Sequence, residues 1–295
     1  MRRLLWPLCY GVLLTVFTAW LLLDTFVIAK VYTTVPKAPA GSGAALVQPD
    51  TAVITANSYS DNNIRITLTE ARQHDTTIYV ADVTLASPAL LKTALAQDSF
   101  GRNVTEKTSS MAERTGAILA INGDYYGPRE RGYVMRNGVL YRSSASSGTE
   151  ALAIMADGSF RVVQEGSASA EALADAGAIH IFSFGPALLM DGEIAVTEED
   201  EVGKAMADNP RTAIGVYEPG HYILLVSDGR TKESKGLTLY ELAEFLQELG
   251  VTTAYNLDGG GSSTMVFQGE IVNNPTTNGR KTTERSVSDI VYIGY

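Results

Sequence analysis

Cysteine is nearly missing: Cys9 is the only one in 295 residues. It lies in the first apolar run, so no disulfide can brace the rest of the chain, which must be held by its core. Histidine is scarce too, with His74, His180 and His221 far apart in sequence. There is no HExxH, GxSxG, Walker loop or GxGxxG, so zinc-hydrolase, Ser-His-Asp, P-loop and dinucleotide-binding readings all lose their motif. Basic side chains number 23 against 33 acidic ones, a formal charge of −10. Nucleic acid is therefore not an expected partner, since that needs a basic face to displace counterions. A hydrophobic content of 45% with no repeat excludes a disordered or collagen-like chain and allows a sizeable core.

The apolar residues are concentrated at the start. Between Leu4 and Leu23 no side chain is charged, and Asp24 is the only charge before Lys30. Twenty residues at about 1.5 Å each give about 30 Å, the thickness of a bilayer's hydrocarbon core. Arg2 and Arg3 precede the run, which keeps the N-terminus inside and sends the remainder out. A cleaved signal peptide would have a shorter apolar stretch ending at a small-x-small site. Here Ala38-Pro39-Ala40 lies well past the run. Residues 1–30 thus read as an uncleaved transmembrane anchor, placing the C-terminal part outside a single-pass cell membrane. They carry a net +2 of the chain's −10, leaving −12 on the remainder.

Residues 31–56, rich in Pro, Ala, Gly and Thr, read as an extracellular linker. From Asn57 to Tyr295 strand and helix signals are interspersed, and an α+β domain built on mixed β-sheet is expected. Ile64, Ile66 and Leu68 alternate with polar residues, and TTIYVADVTL follows. Ser87-Pro88 opens an expected helix, a second helix spans Ser109–Thr115 up to Gly116, and a third spans Ser167–Ala176. Asn137-Gly138 and Asp157-Gly158 mark hairpins. The clearest helix is Thr238–Leu249, with Thr238 and Glu241 as a capping box, an apolar face of Leu239, Leu242, Ala243, Leu246 and Leu249, and Gly250 as its stop.

Chemistry-bearing residues gather at four expected strand ends. AILAIN runs into Gly123-Asp124-Tyr125-Tyr126, offering a carboxylate beside two rings that can stack on a sugar; an ordinary Asn-Gly turn is the competing reading. Asn209-Pro210-Arg211 precedes an apolar strand and offers a guanidinium fork suited to phosphate or carboxylate. LLVS ends in Asp228-Gly229-Arg230, equally compatible with a plain turn. The strongest cluster is Asn256-Leu257-Asp258-Gly259-Gly260-Gly261-Ser262-Ser263. Three successive glycines are costly in backbone entropy and occur where the chain takes positive φ or approaches a ligand. Their N–H groups can form an anion nest, with the Ser262 and Ser263 hydroxyls as added donors.

INGDYYG, FGPALLMDG, NPRTAIG, VSDGR followed by GLTLYELAEFL, NLDGGGSSTM and ERSVSD occur in one order along the chain. In this it resembles the phosphodiester glycosidase family over about Asn57 to Tyr295, specifically the bacterial, membrane-anchored members of exopolysaccharide-biosynthesis type. The resemblance implies hydrolysis of the sugar C1–O bond in a sugar-1-phosphodiester such as that of N-acetylglucosamine, within surface-polysaccharide or wall-polymer metabolism. It implies Asp258 and Asp124 as the carboxylates, with Asp228 able to replace either. Arg211, Gly259, Gly260, Gly261 and Ser262 would hold the phosphate with Arg285 in support, and Asn122, Tyr125 and Tyr126 would line the sugar side. No cofactor is required by this chemistry, although Asp124, Asp228, Asp258 and Asn122 could instead collect Ca2+ or Mg2+ through oxygen ligands. Two further readings stay open: a non-catalytic glycan- or teichoic-acid-binding module, and a transferase passing the sugar or phosphosugar to a polymer.

Overall fold

The computed structural model describes residues 2–35, 50–202 and 208–295. Arg2–Phe26 is one helix. Its segment Cys9–Phe26 is long and apolar enough to cross a membrane, and none of that segment is buried against the rest of the chain.

The segment expected as a linker is only partly one. Lys30–Thr34 is a strand paired antiparallel with Ser99–Arg102, and Val53–Ile54 pairs with Ser58–Ser60 at a sheet edge. Val31-Tyr32-Thr33-Thr34 is β-branched and aromatic, hence strand-forming, a local signal hidden by the Pro/Gly composition of the wider segment. Residues 36–49 lie outside the described residues.

Beyond that ribbon the described residues form a nine-stranded and two five-stranded sheets, in which every strand pair is antiparallel. The large sheet carries Thr253–Asn256, Thr212–Glu218, His221–Ser227, Thr76–Leu85 and Ile64–Gln73 side by side. Its middle strands are buried on both faces. On one face, Leu239, Leu242, Ala243, Phe245 and Leu246 of the helix Leu239–Glu248 pack against Ala213, Ile223, Leu225 and Ala254. Each such side chain contributes about 1.5–3 kcal/mol by leaving water, and the Thr238–Glu241 capping box forms as its spacing predicts. On the other face, Ile214, Leu224 and Val226 meet Leu119, Ile121 and Val291 of one small sheet and Leu152, Ile154 and Phe182 of the other.

The expected helix after Ser87 is a single 3-10 turn, Pro88–Leu90, because Leu91–Leu95 alternates buried and half-buried residues as a strand. The other two expected helices occur as Thr108–Thr115, ended by Gly116 at φ 64°, and Ala170–Asp175. Asn137 and Gly138 take positive φ, 49° and 79°, at the predicted hairpin tip.

Three strand ends meet at one place. Ala213 lies opposite Asn256 in the large sheet, and Ile121 lies opposite Met265 in a small one. The chain between Asn256 and Met265, which contains the three glycines, is therefore the crossing from one sheet to the other. It meets Asn122 and Arg211 where their own strands end and begin.

Candidate active site

At this crossing lies a cavity of about 290 Å3, lined by Asp258, Gly259, Gly260, Asn256 and Leu257, by Asn209, Arg211, Arg230 and Arg285, and by Tyr125, Arg129, Phe184 and Val202. In a chain of net charge −10, four guanidinium groups converge on it beside a single carboxylate.

That carboxylate is Asp258. Its Oδ2 accepts from Ser262 Oγ at 2.6 Å and from Arg285 Nη2 at 3.3 Å, while Arg285 also donates from Nε and Nη2 to Ser262 Oγ at 3.0 and 2.6 Å. Burial raises the Asp258 pKa above the usual carboxylate range; Arg285 and Ser262 pull it down and Asp124 pushes it up. Asn122 fixes the backbone behind it, its Nδ2 donating to Asp258 O at 2.5 Å and its Oδ1 accepting from Thr212 Oγ1 and Thr264 N.

The glycines permit close approach. Gly260 alone of the three takes positive φ, 63°. A Cβ on Gly259 would lie 2.8 Å from Pro210 O, and one on Gly261 would collide with Thr277. The N–H groups of Gly260, Ser262 and Ser263 donate to Pro210 O, Gly259 O and Gly260 O. Of the three glycine amides, that of Gly260 is thereby spent on Pro210 O, at the start of a 3-10 turn, Gly260–Ser262.

Two of these are braced. Arg211, 3% exposed, donates through Nε to Leu237 O at 2.7 Å and through Nη2 to both oxygens of Glu201, at 3.0 and 2.8 Å. Arg230 is held by Asn209 Oδ1, at 3.1 Å from Nε and 2.8 Å from Nη2, and by Thr277 O at 2.6 Å. Arg129 donates to Ser183 O at 2.8 Å and lies 5.1 Å over the Phe184 ring. Asn256 donates to Gly185 O, but its buried Oδ1 finds no hydrogen-bond partner among the described residues.

Asp124 stands behind the cavity and does not line it. Its oxygens accept from Tyr125 N at 2.7 Å and Ser183 N at 2.8 Å, and Oδ2 lies 3.6 Å from Arg136 Nη2. Asp289 completes this buried group, accepting from Arg136 Nε at 2.6 Å and from Asp124 N at 2.7 Å. Burial pushes the Asp289 carboxyl up to about 6 against the pull of Arg136. The guanidinium lies 4.0 Å from the Phe182 ring centroid.

Four expected site residues are turned away. Asp228 accepts from Asn274 N, Asn274 Nδ2 and Tyr79 Oη and clamps a loop. Tyr126 stacks on Phe100 at 5.3 Å and donates to Ser288 O. Asn122 is the buried hub already described, and Ser263 Oγ accepts from Thr212. With Asp228 and Asn122 committed elsewhere, the expected oxygen cage for Ca2+ or Mg2+ does not assemble, and no group of three His, Cys, Asp or Glu poised for a metal occurs among the described residues. Sequence reasoning missed Arg129, Phe184 and Asn256 as cavity residues and Arg136 and Asp289 as their support. A guanidinium inside the strand Val134–Arg136, next to a hairpin tip, was the available signal for a buried ion pair.

Sequence and structure comparisons identify the family. The profile of the phosphodiester glycosidase family matches residues 115–294. An SPbeta prophage-derived uncharacterized protein of Bacillus subtilis is 32% identical over 203 residues, 66% of this chain and 31% of that protein. Mouse N-acetylglucosamine-1-phosphodiester alpha-N-acetylglucosaminidase is 48% identical over 66 residues, 22% of this chain and 13% of the enzyme. The chain therefore spans a third or less of the length of these relatives. The zebrafish catalytic domain of the latter enzyme, auto-inhibited by its pro-peptide, shares the fold at a TM-score of 0.61 and 20% identity, covering 91% of this chain and 88% of that one. On the match across residues 115–294, this chain belongs to the phosphodiester glycosidase family.

Proposed function

We propose that the protein is a membrane-anchored cell-surface hydrolase that cleaves the C1–O bond of a sugar-1-phosphodiester, of the N-acetylglucosamine-1-phosphate type, in surface-polysaccharide or wall-polymer metabolism. The observation that carries this reading is the single buried carboxylate, Asp258, facing a cavity ringed by Arg129, Arg211, Arg230 and Arg285.

Breaking C1–O leaves positive charge on the sugar and a phosphate monoester as leaving group. The phosphate departs readily, so donors to its oxygens matter more than a strong general acid. Arg285 and the braced Arg211 and Arg230 suit that role, because a guanidinium held in place does not reorganise during reaction. The Asp258 carboxylate faces the developing oxocarbenium centre or takes the proton of the attacking water. Water's oxygen bonds to C1, the C1–O pair leaves with the phosphate, and free sugar and a phosphate monoester result. Tyr125 and Phe184 give the sugar aromatic faces. Asp124 acts at one remove, holding the Tyr125 and Ser183 amides and adding negative potential near Asp258.

The anchor reading rests on the apolar span Cys9–Phe26 preceded by Arg2 and Arg3. The test is to incubate the purified full chain in detergent with the methyl phosphodiester of N-acetylglucosamine-1-phosphate, with and without EDTA, and follow free sugar by mass spectrometry. Release that survives EDTA and disappears in Asp258→Asn supports the reading. Full release by Asp258→Asn removes its central residue, and no release by the folded chain removes this substrate.

A further inference from the structure

The cavity is tied, contact by contact, to the end of the membrane-crossing helix. Asn103 Nδ2 donates to Thr25 O and Ile28 O, both at 3.2 Å, so a side chain of the folded domain caps the helix's last turn. No slack follows: Lys30, four residues past the helix end at Phe26, already lies opposite Arg102 in the strand pair that runs on to Thr34 opposite Ser99. Val35 N continues the ladder to Asp98 O at 2.9 Å. Gly101 accommodates this strand, since a Cβ there would collide with Lys30 O.

From this ribbon the contacts lead into the loop of residues 123–131. Tyr32 packs on Phe100 at 6.2 Å between ring centroids, and Phe100 stacks on Tyr126 at 5.3 Å. Arg102, at the helix end of the ribbon, pairs with Glu130 at 3.4 Å. The same loop sends Tyr125 and Arg129 into the cavity wall. The cavity rim is therefore one loop away from the point where the chain leaves the bilayer. Around that point Phe26, Val27, Ile28, Val31 and Tyr32 are all exposed apolar side chains, while Lys30 and Arg102 on the same ribbon are paired with Asp24 and Glu130. Apolar and aromatic side chains with charged ends beside them, at the end of a membrane-crossing helix, are the composition of a surface resting at headgroup level.

We infer that the domain is docked on the outer leaflet with its cavity rim at headgroup level, and that its substrate is a sugar-1-phosphodiester whose other ester is a membrane lipid. The docking rests on the anchor reading above together with this geometry; the substrate class rests on the glycosidase reading. Water adds to C1, the C1–O bond breaks with its electron pair going to the phosphate, and the lipid phosphate monoester stays in the bilayer while the sugar leaves. A domain on a flexible linker would sweep a large volume and see membrane-borne substrate at low effective concentration; a docked one sees it constantly.

The experiment uses the full chain in vesicles of phosphatidylcholine and phosphatidylglycerol. Docking is read from a spin label on Arg131→Cys in a Cys9→Ser background, relaxed by nickel-chelating lipid headgroups. Turnover is read in the unlabelled chain, with a vesicle-borne prenyl phosphodiester of N-acetylglucosamine-1-phosphate and with the soluble methyl phosphodiester. A ten-residue Gly-Ser insertion after Ala29 frees the domain without touching the cavity. The inference expects strong relaxation that the insertion abolishes. It also expects the insertion to lower lipid-substrate turnover about tenfold with soluble turnover unchanged. Weak relaxation in the uninserted chain overturns the docking. Cleavage of the soluble but not the lipid substrate overturns the substrate class. Cleavage of neither, with relaxation intact, refutes the glycosidase reading and the lipid substrate with it, and leaves the docking standing.

Discussion

Replacing Arg136 by Met should be among the most damaging single changes to the fold. The guanidinium is 1% exposed and pairs with Asp289 at 2.6 Å and Asp124 at 3.6 Å. Met roughly fills the space against Phe182 but leaves two buried carboxylates without their cation. Breaking a buried pair from one side costs about 3–5 kcal/mol. For a domain of this size that is a fall in Tm of roughly 10 °C. The loss should also depend on pH. Burial holds the Asp289 pKa up at about 6 even with Arg136 present, and without the guanidinium it goes higher. At pH 7.5 the wild type keeps a paired anion, whereas the variant must bury an unpaired one or take up a proton. As pH falls from 7.5 toward about 6 the variant takes up its proton while the wild type does not, so the deficit narrows; below about 6 both bind one and the deficit levels off. Circular dichroism melts of both proteins in detergent at pH 5 and pH 7.5, with Arg136→Met/Asp289→Asn as a partial rescue, give the answer. A deficit below about 1 kcal/mol, or one that does not change with pH, would refute the reasoning.

Arg285→Ala, removing a donor from both Ser262 and Asp258, should lower kcat/KM on the soluble phosphodiester about 100-fold or more while the melt stays near wild type; a change under about threefold would take Arg285 out of the site. Gly259→Ala places a Cβ 2.8 Å from Pro210 O, and a urea titration should show about 1–3 kcal/mol lost. His180 is buried with its pKa pushed down to about 3, by burial first and Arg136 second. Unfolded chains protonate near the ordinary value and native ones do not, so stability is lost as pH falls from about 6.5 toward 3. His180→Gln should flatten that slope by up to about 1.4 kcal/mol per pH unit in urea titrations between pH 6.5 and 4. Because the domain and the substrate are both anionic, the initial rate at low substrate should rise as salt is raised from 10 to 150 mM, at least until local arginine contacts are screened; a steep fall would contradict recognition by local donors.

Local pattern made much of this fold readable. The helix Leu239–Glu248 announces itself by its capping box and apolar face, the hairpin tips by Asn137-Gly138 and Asp157-Gly158, and the apolar helix Arg2–Phe26 by its uncharged run. What failed is what depends on partners distant in sequence. Lys30–Thr34 becomes a strand only because Ser99–Arg102 offers an edge with a glycine at the point of contact. At the site, Asp258, Arg211 and Arg285 were legible from motifs, yet Asp228 and Tyr126, named from motifs as well, face the other way. Motif position gives the strand end but not the side of it on which a side chain falls. Arg129 and Phe184 reach the cavity from loops with no periodicity to read. The glycine run stands out in sequence for its cost in entropy, and the crowding by Pro210 and Thr277 that explains Gly259 and Gly261 comes from segments distant in sequence.

The measurement that bears most directly on the proposed chemistry is the bond that breaks. The full chain would be incubated in 18O-enriched water with the methyl phosphodiester of N-acetylglucosamine-1-phosphate, and both products weighed by mass spectrometry. Attack at C1 puts the heavy oxygen in the sugar and leaves methyl phosphate unlabelled, as expected of a glycosidase working through Asp258. Label in the phosphate would mean attack at phosphorus, and would contradict the proposed role of every residue in the cavity wall.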